Sequence, residues 1–345
     1  MAGKLIRIGV IGAGNNTRRM HLPKFAALAD VQIAGVCNRS TESSRRVAQQ
    51  FNIARTYEHW MQVIEDPDID AVMIGTWPYL HAPATLAALA SGKHVLCEAR
   101  MAMDASEAHQ MLDAARAHPE LIAQIVPSPF TLPVDATIRK LLAQDAIGQV
   151  LAVEVRDTAA WINRDAPLSW RQDTDLSGAN ILSLGIWYEA LLRWVGPAVR
   201  VLALGRTFVK ERADGEGLRR AVAVPDHVDV AAELACGAQL HMQISAVMGL
   251  PEQSGVWLCG SQGTLKIALP EVTLYRRQRE EKEYAAVDLP AELVGGWRVE
   301  EEFVAAIRGQ EQVKLTDLAT GVRYMEFTQA VTRSMQTGQA IALPL

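Results

Sequence analysis

The chain is poor in the features that would mark it for a membrane, a nucleic acid or an oxidising compartment. Its four cysteines, Cys37, Cys97, Cys236 and Cys259, lie far apart, each in or beside an apolar run. They read as reduced core residues of a cytoplasmic protein, not as a disulfide framework. No CxxC or HExxH spacing occurs, so the sequence offers no zinc site. No apolar run of membrane-spanning length is present, and the opening "MAGKLIRIGVIG" lacks the long apolar segment of a signal peptide. The net charge of −5 gives no reason to expect a nucleic-acid or anionic-membrane partner.

What is present is enough apolar chain for two cores, since 345 residues favour two domains. Leu5 to Ile11 is a β-branched run broken only by Arg7, which suits a central parallel strand. It ends in "GAGNNT", with Gly12, Gly14 and, where a third small residue is usual, Thr17. Gly12 permits a tight turn, and Gly14 lets a pyrophosphate approach the backbone ahead of the following helix. Tight packing of helix on strand is the competing use of these glycines.

Strand and helix then alternate. "VQIAGVCN" is a second buried strand, and "TESSRRVAQQF" is a helix capped by Ser40 or Thr41. "DAVMIGT" and "HVLCE" are further strands. "HAPATLAALASGK", ended by Gly92, and "SEAHQMLDAARAH" are further helices. The pattern predicts a doubly wound parallel sheet of the Rossmann type over 1–125. Its ligand would sit at the carboxyl ends of the strands. One rim then gathers the glycine turn, "TWPYLH" and Glu98-Ala99-Arg100.

The end of the second strand should meet the adenosine ribose. An acid there would bind the 2′-hydroxyl of NAD, but this chain has Asn38-Arg39-Ser40. An arginine and a hydroxyl can hold a 2′-phosphate, which favours NADP. Arg39 stacked on adenine or facing solvent leaves NAD open. The expected cofactor contacts are Gly12, Gly14, Asn15, Asn16, Asn38, Arg39, Ser40, Thr76, Trp77, Pro78, His81 and Glu98. For His81 a structural hydrogen bond in the "TWPYLH" turn is the competing reading.

After "AQIVPSPF" the rhythm changes. "QVLAVEVRDTAAW" alternates, and so do several later segments joined by the turns "CGAQ" and "GSQG". They predict an open, mostly antiparallel sheet over 126–345, with helices on one face. The helices are "VDATIRKLLAQDAIG", "ANILSLGIWYEALLRWVG" and two late ones, "GWRVEEEFVAAIRG" and "LATGVRYMEFTQAVTRSMQTG". The charged stretch Lys210 to Arg220 reads as an exposed loop.

From "IGVIGAGNNTRRMHLP" through "HAPATLAALASGKHVLCE", "AIGQVLAVEV", "WRQDTDLSGANILSLGIW" and "GSQGTLKI" to "RSMQTGQAIALPL", the chain resembles the glucose–fructose oxidoreductase / inositol 2-dehydrogenase (Gfo/Idh/MocA) family. The resemblance implies oxidation or reduction of a carbinol carbon on a sugar, cyclitol or hydroxy acid. It also implies a homodimer or homotetramer formed through the C-terminal sheet. The family's chemistry rests on a lysine after the strand-end glutamate, and on an aspartate and a histidine four apart on a sheet-domain helix. Here those positions hold Ala99, Ser183 and Trp187, and Arg100 stands where proline is usual. None of alanine, serine or tryptophan transfers protons near neutral pH.

The replacement candidates are Arg100, Tyr188, Trp187 and Ser183. Arg100 can hydrogen-bond a carbonyl, carboxylate or phosphate but cannot act as a base; a salt bridge at the rim competes. Tyr188 could donate a proton, with packing as its rival role. Trp187 lines a pocket or fills the core. Asp173, Asp175, Trp161, Asn163 and Arg164 are weaker candidates. The expected function is an NAD(P)-dependent oxidoreductase with a non-standard proton relay. The alternatives are NAD-assisted elimination or glycoside cleavage, or a catalytically silent member that binds a nucleotide or sugar.

Overall fold

The structure, a computed structural model, describes residues 4–345. Met1 to Gly3, the head of the opening segment, lie outside the described residues. The chain divides into two compact units. The first comprises the residues up to Pro127 together with Arg298–Val322; the second comprises Ser128–Trp297 and Arg323–Leu345.

Six strands build the sheet of the first unit: β1 (Ile6–Ile11), β2 (Val31–Cys37), β3 (Arg55–Thr56), β4 (Ala71–Ile74), β5 (His94–Cys97) and β6 (Ala123–Ile125). Their order is β3-β2-β1-β4-β5-β6, and every neighbouring pair is parallel. The central strands β1, β2 and β4 are apolar but for Arg7 and Gln32, because helices cover both faces. Ile8, Val10, Val36, Val72, Met73, Ile74 and Leu96 are fully buried. The connecting helices are α1 (Leu22–Ala27), entered through a π-helical turn at Thr17–His21, then α2 (Thr41–Phe51), α3 (Trp60–Glu65), α4 (His81–Ala90) and α5 (Ala105–Ala117). Ser40 caps α2 by accepting the Ser43 N–H.

The second unit carries α6 (Leu132–Ala143), β7 (Val150–Asp157), a short α7 (Thr174–Ser177), α8 (Leu184–Val195), β8 (Ala198–Arg206), β9 (Glu211–Ala213), β10 (Arg219–Ala221), β11 (His227–Leu234), β12 (Gln239–Ser245), β13 (Gly255–Gly260), β14 (Gly263–Ala268), β15 (Thr273–Gln278) and β16 (Ala285–Ala286). After these come α9 (Val299–Ile307), α10 (Leu318–Thr337) and β17 (Ile341–Ala342). The nine-stranded sheet runs β16-β15-β14-β13-β7-β12-β11-β8-β17, antiparallel except at β7–β12. Burial alternates along β11 and β12, so one face of the sheet is covered and the other open. On the covered face, Ala203 N–H donates to Ser334 Oγ of α10 at 2.9 Å.

Three expectations need correction. Lys210 to Arg220 is not a loop: β9 and β10 pair as an antiparallel ribbon. Its turn is held by Asp214 Oδ1, which accepts the N–H groups of Glu216 and Leu218, and Gly217 adopts φ +82°. The helix expected from Ala179 begins only at Leu184, because Leu182 takes a left-handed φ of +42° and Ser183 becomes the N-cap. The third concerns Arg298–Val322, expected within a single C-terminal domain, which belongs to the first unit. There Phe303 of α9 meets Phe25 edge-on at 6.5 Å, Gln124 donates to Glu302 at 3.2 Å, and Ile125 N–H donates to the Thr316 carbonyl. Helical periodicity marks α9 as amphipathic but does not say which core receives it. No helix among the described residues is long and apolar enough to cross a membrane.

Candidate functional site

The two glycines of the first turn do different work. Gly12 has φ +85°, and its N–H donates to the Cys37 carbonyl at 2.8 Å. A Cβ there would stand 2.6 Å from Thr76 Cγ2 and 2.8 Å from the Gly75 carbonyl carbon, so the turn itself requires glycine. At Gly14 the nearest atom to a Cβ would be the Gly75 oxygen at 3.7 Å, an ordinary contact. Packing therefore does not demand glycine at 14; its bare backbone leaves the face above it open to a ligand.

The third small residue of the motif is replaced from the other side. A Cβ on Gly75 would lie 2.1 Å from Thr17 Oγ1 and 2.4 Å from the Gly12 oxygen. Gly75, at the end of β4, makes room for Thr17, whose hydroxyl donates to the Gly12 carbonyl at 3.1 Å. The sequence signal for Gly75 was present in "DAVMIGT" but was not used.

Above this turn lies a cavity of about 420 Å³. Gly12, Gly14, Asn38, Arg39, Ser40, Thr76 and Trp77 line it, with Ser43, His59, Trp60 and Tyr79, which sequence reasoning missed. His59 and Trp60 follow the two-residue strand β3, too short to stand out by periodicity. Asn15, Asn16, Pro78, His81 and Glu98 do not line the cavity. Asn38 spends its carboxamide on the protein: Oδ1 accepts the Ala13 N–H at 2.6 Å and Nδ2 donates to Ser43 Oγ at 3.1 Å. Arg39 lies over the Trp77 ring, 5.5 Å from its centroid. Volume, open backbone at Gly14, and a cation on an aromatic wall together fit a nucleotide.

Behind the rim, three residues form a buried ionic cluster. His21 Nε2 lies 3.0 Å from Glu98 Oε1, and Nδ1 lies 2.6 Å from Glu300 Oε1. Burial alone would lower the imidazole pKa. The two carboxylates more than offset this and push it up to about 9, so His21 is a buried cation at neutral pH. Burial likewise raises the Glu98 carboxyl, but the hydrogen bond and charge of His21 hold it below its usual value. Asn16 Nδ2 also donates to Glu98 Oε1, and Ala99 N–H donates to Oε2 at 3.2 Å. Glu98 is thus engaged with its own protein. The sequence contained His21 in "TRRMHLP", but nothing local pointed to Glu300.

His81 is fully buried, with Nδ1 2.8 Å from the Arg100 carbonyl and Nε2 3.1 Å from the Thr76 carbonyl. Burial lowers its pKa, so the ring is neutral and its single N–H donates to one of the two carbonyls. It holds the β4 and β5 ends together. Arg100 is also buried, and the Ala99–Arg100 peptide is cis.

In the second unit Ser183 and Trp187 converge on a residue the sequence reading passed over. Ser183 Oγ donates to Asp157 Oδ2 at 2.6 Å, and Trp187 Nε1 donates to the same oxygen at 3.0 Å. Phe130 packs on the Trp187 ring at 4.8 Å. The signal was alternation: in β7, Val153 and Val155 face the core, which puts Asp157 on that side too.

Tyr188, one step further round α8, is a packing residue. It stacks on Phe327 at 3.7 Å and 4°, its hydroxyl oxygen accepts the Ala198 N–H at 2.7 Å, and burial raises its pKa to about 12. Of the weaker candidates, Asp173 caps α7 and Asn163 accepts the N–H groups of Asp165 and Ala166 within its own turn. Trp161, Arg164 and Asp175 are exposed.

Two family models match the chain. Residues 6–124 match the "Oxidoreductase family, NAD-binding Rossmann fold" model, and residues 136–266 match the GFO/IDH/MocA C-terminal domain. The chain belongs to the Gfo/Idh/MocA oxidoreductase family. Its first unit is therefore an NAD-binding Rossmann domain, in agreement with the strand order and the glycine turn. Among its relatives is trans-1,2-dihydrobenzene-1,2-diol dehydrogenase of Xenopus laevis, 26% identical over 69% of this chain and 67% of that one. Levoglucosan dehydrogenase of Pseudarthrobacter phenanthrenivorans is 28% identical over 59% of this chain and 56% of its own length. A solved levoglucosan dehydrogenase in complex with NADH and levoglucosan superposes with a TM-score of 0.85 at 22% identity, covering 99% of this chain and all of that one.

Proposed function

We propose that this oxidoreductase moves a hydride between a nicotinamide dinucleotide and a secondary alcohol carbon of a sugar-, cyclitol- or hydroxy-acid-like substrate. The observation that carries the reading is the open backbone at Gly14 in the cavity over the β1 turn. The relatives named for levoglucosan and dihydrodiol oxidation support the substrate class. Bound there, the cofactor supplies the hydride-accepting ring. The protein's part is to hold it: Gly12 shapes the turn, Gly14 leaves it bare, and Arg39, Ser40 and Trp77 receive the adenosine end. The end of β2 has no carboxylate to repel a 2′-phosphate, so NADP is accommodated as well as NAD.

The usual lysine, aspartate and histidine are replaced by Ala99, Ser183 and Trp187, so the proton relay is a non-standard one. The protein works in the reducing cytoplasm, in keeping with four unpaired cysteines. It associates through the open face of the nine-stranded sheet, where Leu202 and Leu204 are 46% and 75% exposed. Light scattering on the wild type and on Leu204→Lys checks that association.

The functional test is a calorimetric titration with NADH and NADPH, followed by oxidation assays on a panel of polyols and sugar acids read by reduced-nicotinamide absorbance. Binding without turnover of any panel member would favour a silent, ligand-binding role. No binding of either nucleotide would remove the enzymatic reading altogether.

A further inference from the structure

We propose that Trp161 is a stacking platform for a pyranose ring, a sugar-binding site carried by the second unit alone. It goes beyond the hydride-transfer reading and does not depend on it. Trp161 follows β7 and is 73% exposed, more than any other aromatic side chain among the described residues. An indole carries one of the largest apolar surfaces of any side chain, and most of this one is left in water.

The ring is not loose. A Cβ on Gly249 would fall 2.1 Å from Trp161 Cδ2 and 2.2 Å from Cε2. Those two carbons are shared by the five- and six-membered rings, so both can be approached at once only through the ring face. The indole therefore lies flat on Gly249, whose φ of +60° also favours glycine. With that face covered, an exposure of 73% leaves the opposite face bare.

Main-chain bonds fix both members of this stack. Trp161 pairs with Met248 in an antiparallel bridge, Gly249 N–H donates to the Ala160 carbonyl at 2.9 Å, and Leu250 N–H donates to the Thr158 carbonyl at 2.8 Å. The turn beyond is fixed too. Asn163 Oδ1 accepts the N–H groups of Asp165 and Ala166, and Arg212 of β9 donates to the carbonyls of Asn163 and Ala166 at 2.9 and 2.8 Å. The platform is thus ordered before a ligand arrives, which lowers the entropic cost of binding.

Other indoles of the chain are already engaged. Arg39 lies over Trp77, Arg171 lies over Trp170 at 4.3 Å, and Trp187 and Trp194 donate through Nε1 to carboxylates. Among the described residues the Trp161 ring has no such cation or acceptor.

A bare indole face suits a flat ligand with weakly positive hydrogens. The C–H bonds on one face of a pyranose ring meet that need, because the face of the π system is negative. The hydroxyls round the sugar need donors and acceptors in place of water. The exposed side chains of Asn163, Arg164 and Asp165 supply both, in the turn that follows. A protein interface centred on an indole surrounds it with further packed side chains. Here Ala159 and Ala160 precede the ring and polar residues follow Ile162.

The test follows the Trp161 indole N–H resonance by NMR, in the whole chain without cofactor, as methyl β-D-glucopyranoside is added. The resonance shifts saturably, and mannitol, an acyclic polyol with no ring face, leaves it in place. Trp161→Ala removes the resonance, which assigns it, and weakens glucoside binding by about tenfold or more, read from broadening of the ligand signals. Gly249→Ala, which drives a Cβ into the indole, weakens binding likewise while keeping the tryptophan. Should Gly249→Ala fail to fold, Trp161→Ala carries the test, since its side chain is exposed. In oxidation assays, a KM for pyranosides that Trp161→Ala raises at constant kcat assigns the stacked ring to the oxidised substrate. A KM that stays in place assigns it to a separate saccharide.

A resonance unmoved by the glucoside at about 0.1 M, or moved equally by mannitol, overturns the proposal. So does a Trp161→Ala protein that loses a subunit contact in light scattering, which makes the indole an interface between copies. None of these results bears on NADH binding, so the oxidoreductase reading stands or falls separately.

Discussion

The buried His21 cation makes a quantitative prediction about stability. Its pKa is 6.5 unperturbed and about 9 in the fold. A raised folded value means the stabilisation is complete below about pH 6.5 and is lost as pH rises through about 9. At roughly 1.36 kcal/mol per pKa unit, the full effect is about 3 kcal/mol, of which about 2.5 kcal/mol is present at pH 7. In a unit of this size, that loss lowers Tm by about 5–10 °C between pH 7 and pH 10.

Replacing His21 by Gln leaves Glu98 and Glu300 buried without their shared cation, at a cost of about 3–5 kcal/mol near neutrality. The stability difference between wild type and His21→Gln should be largest below about pH 7 and shrink as pH passes 9, since the wild-type ring then loses its charge as well. Urea unfolding of both proteins from pH 6 to 10, with the His21 ring titrated by NMR, measures this. A ring that titrates near its ordinary value, or two stability curves that stay parallel up to pH 10, would refute the reasoning.

Other outcomes follow from the site. Gly14→Ala should fold normally, since its Cβ meets only the Gly75 oxygen at 3.7 Å, yet lose NADH affinity by about tenfold or more, seen by calorimetry. Gly12→Ala should instead lose stability, because its Cβ falls 2.6 Å from Thr76 in a backbone conformation with φ +85°. Arg39→Ala should weaken NADPH more than NADH, a ratio read by titration with both; equal losses would confine Arg39 to its stack on Trp77. Tyr188→Phe should cost about 1–3 kcal/mol in denaturant by leaving the Ala198 N–H unpaired, with kcat unchanged.

Much of the fold was legible because its signals are local. The apolar runs of β1, β2 and β4 and the glycines that end them need only the neighbouring residues to be read. So do the Ser40 cap and the alternation in β7, β11 and β12. The β9–β10 ribbon was missed because its strands are three residues long, too short for a period to register above the charge of the segment. The helix before Leu184 was over-extended because apolar spacing does not reveal a left-handed residue such as Leu182.

The sequence by itself determined which face each strand and helix turns inward, since periods of 2 and 3.6 are properties of the backbone. It also determined the glycine turn, whose chemistry lies within six consecutive residues. Tertiary structure alone decided the partners. Arg298–Val322 joins the first unit, Glu300 completes the charge on His21, Gly75 makes way for Thr17, and Asp157 gathers Ser183 and Trp187. Each of these is a pairing between residues distant in the chain, and such pairings are set by which cores close on one another, not by any pattern along a single element.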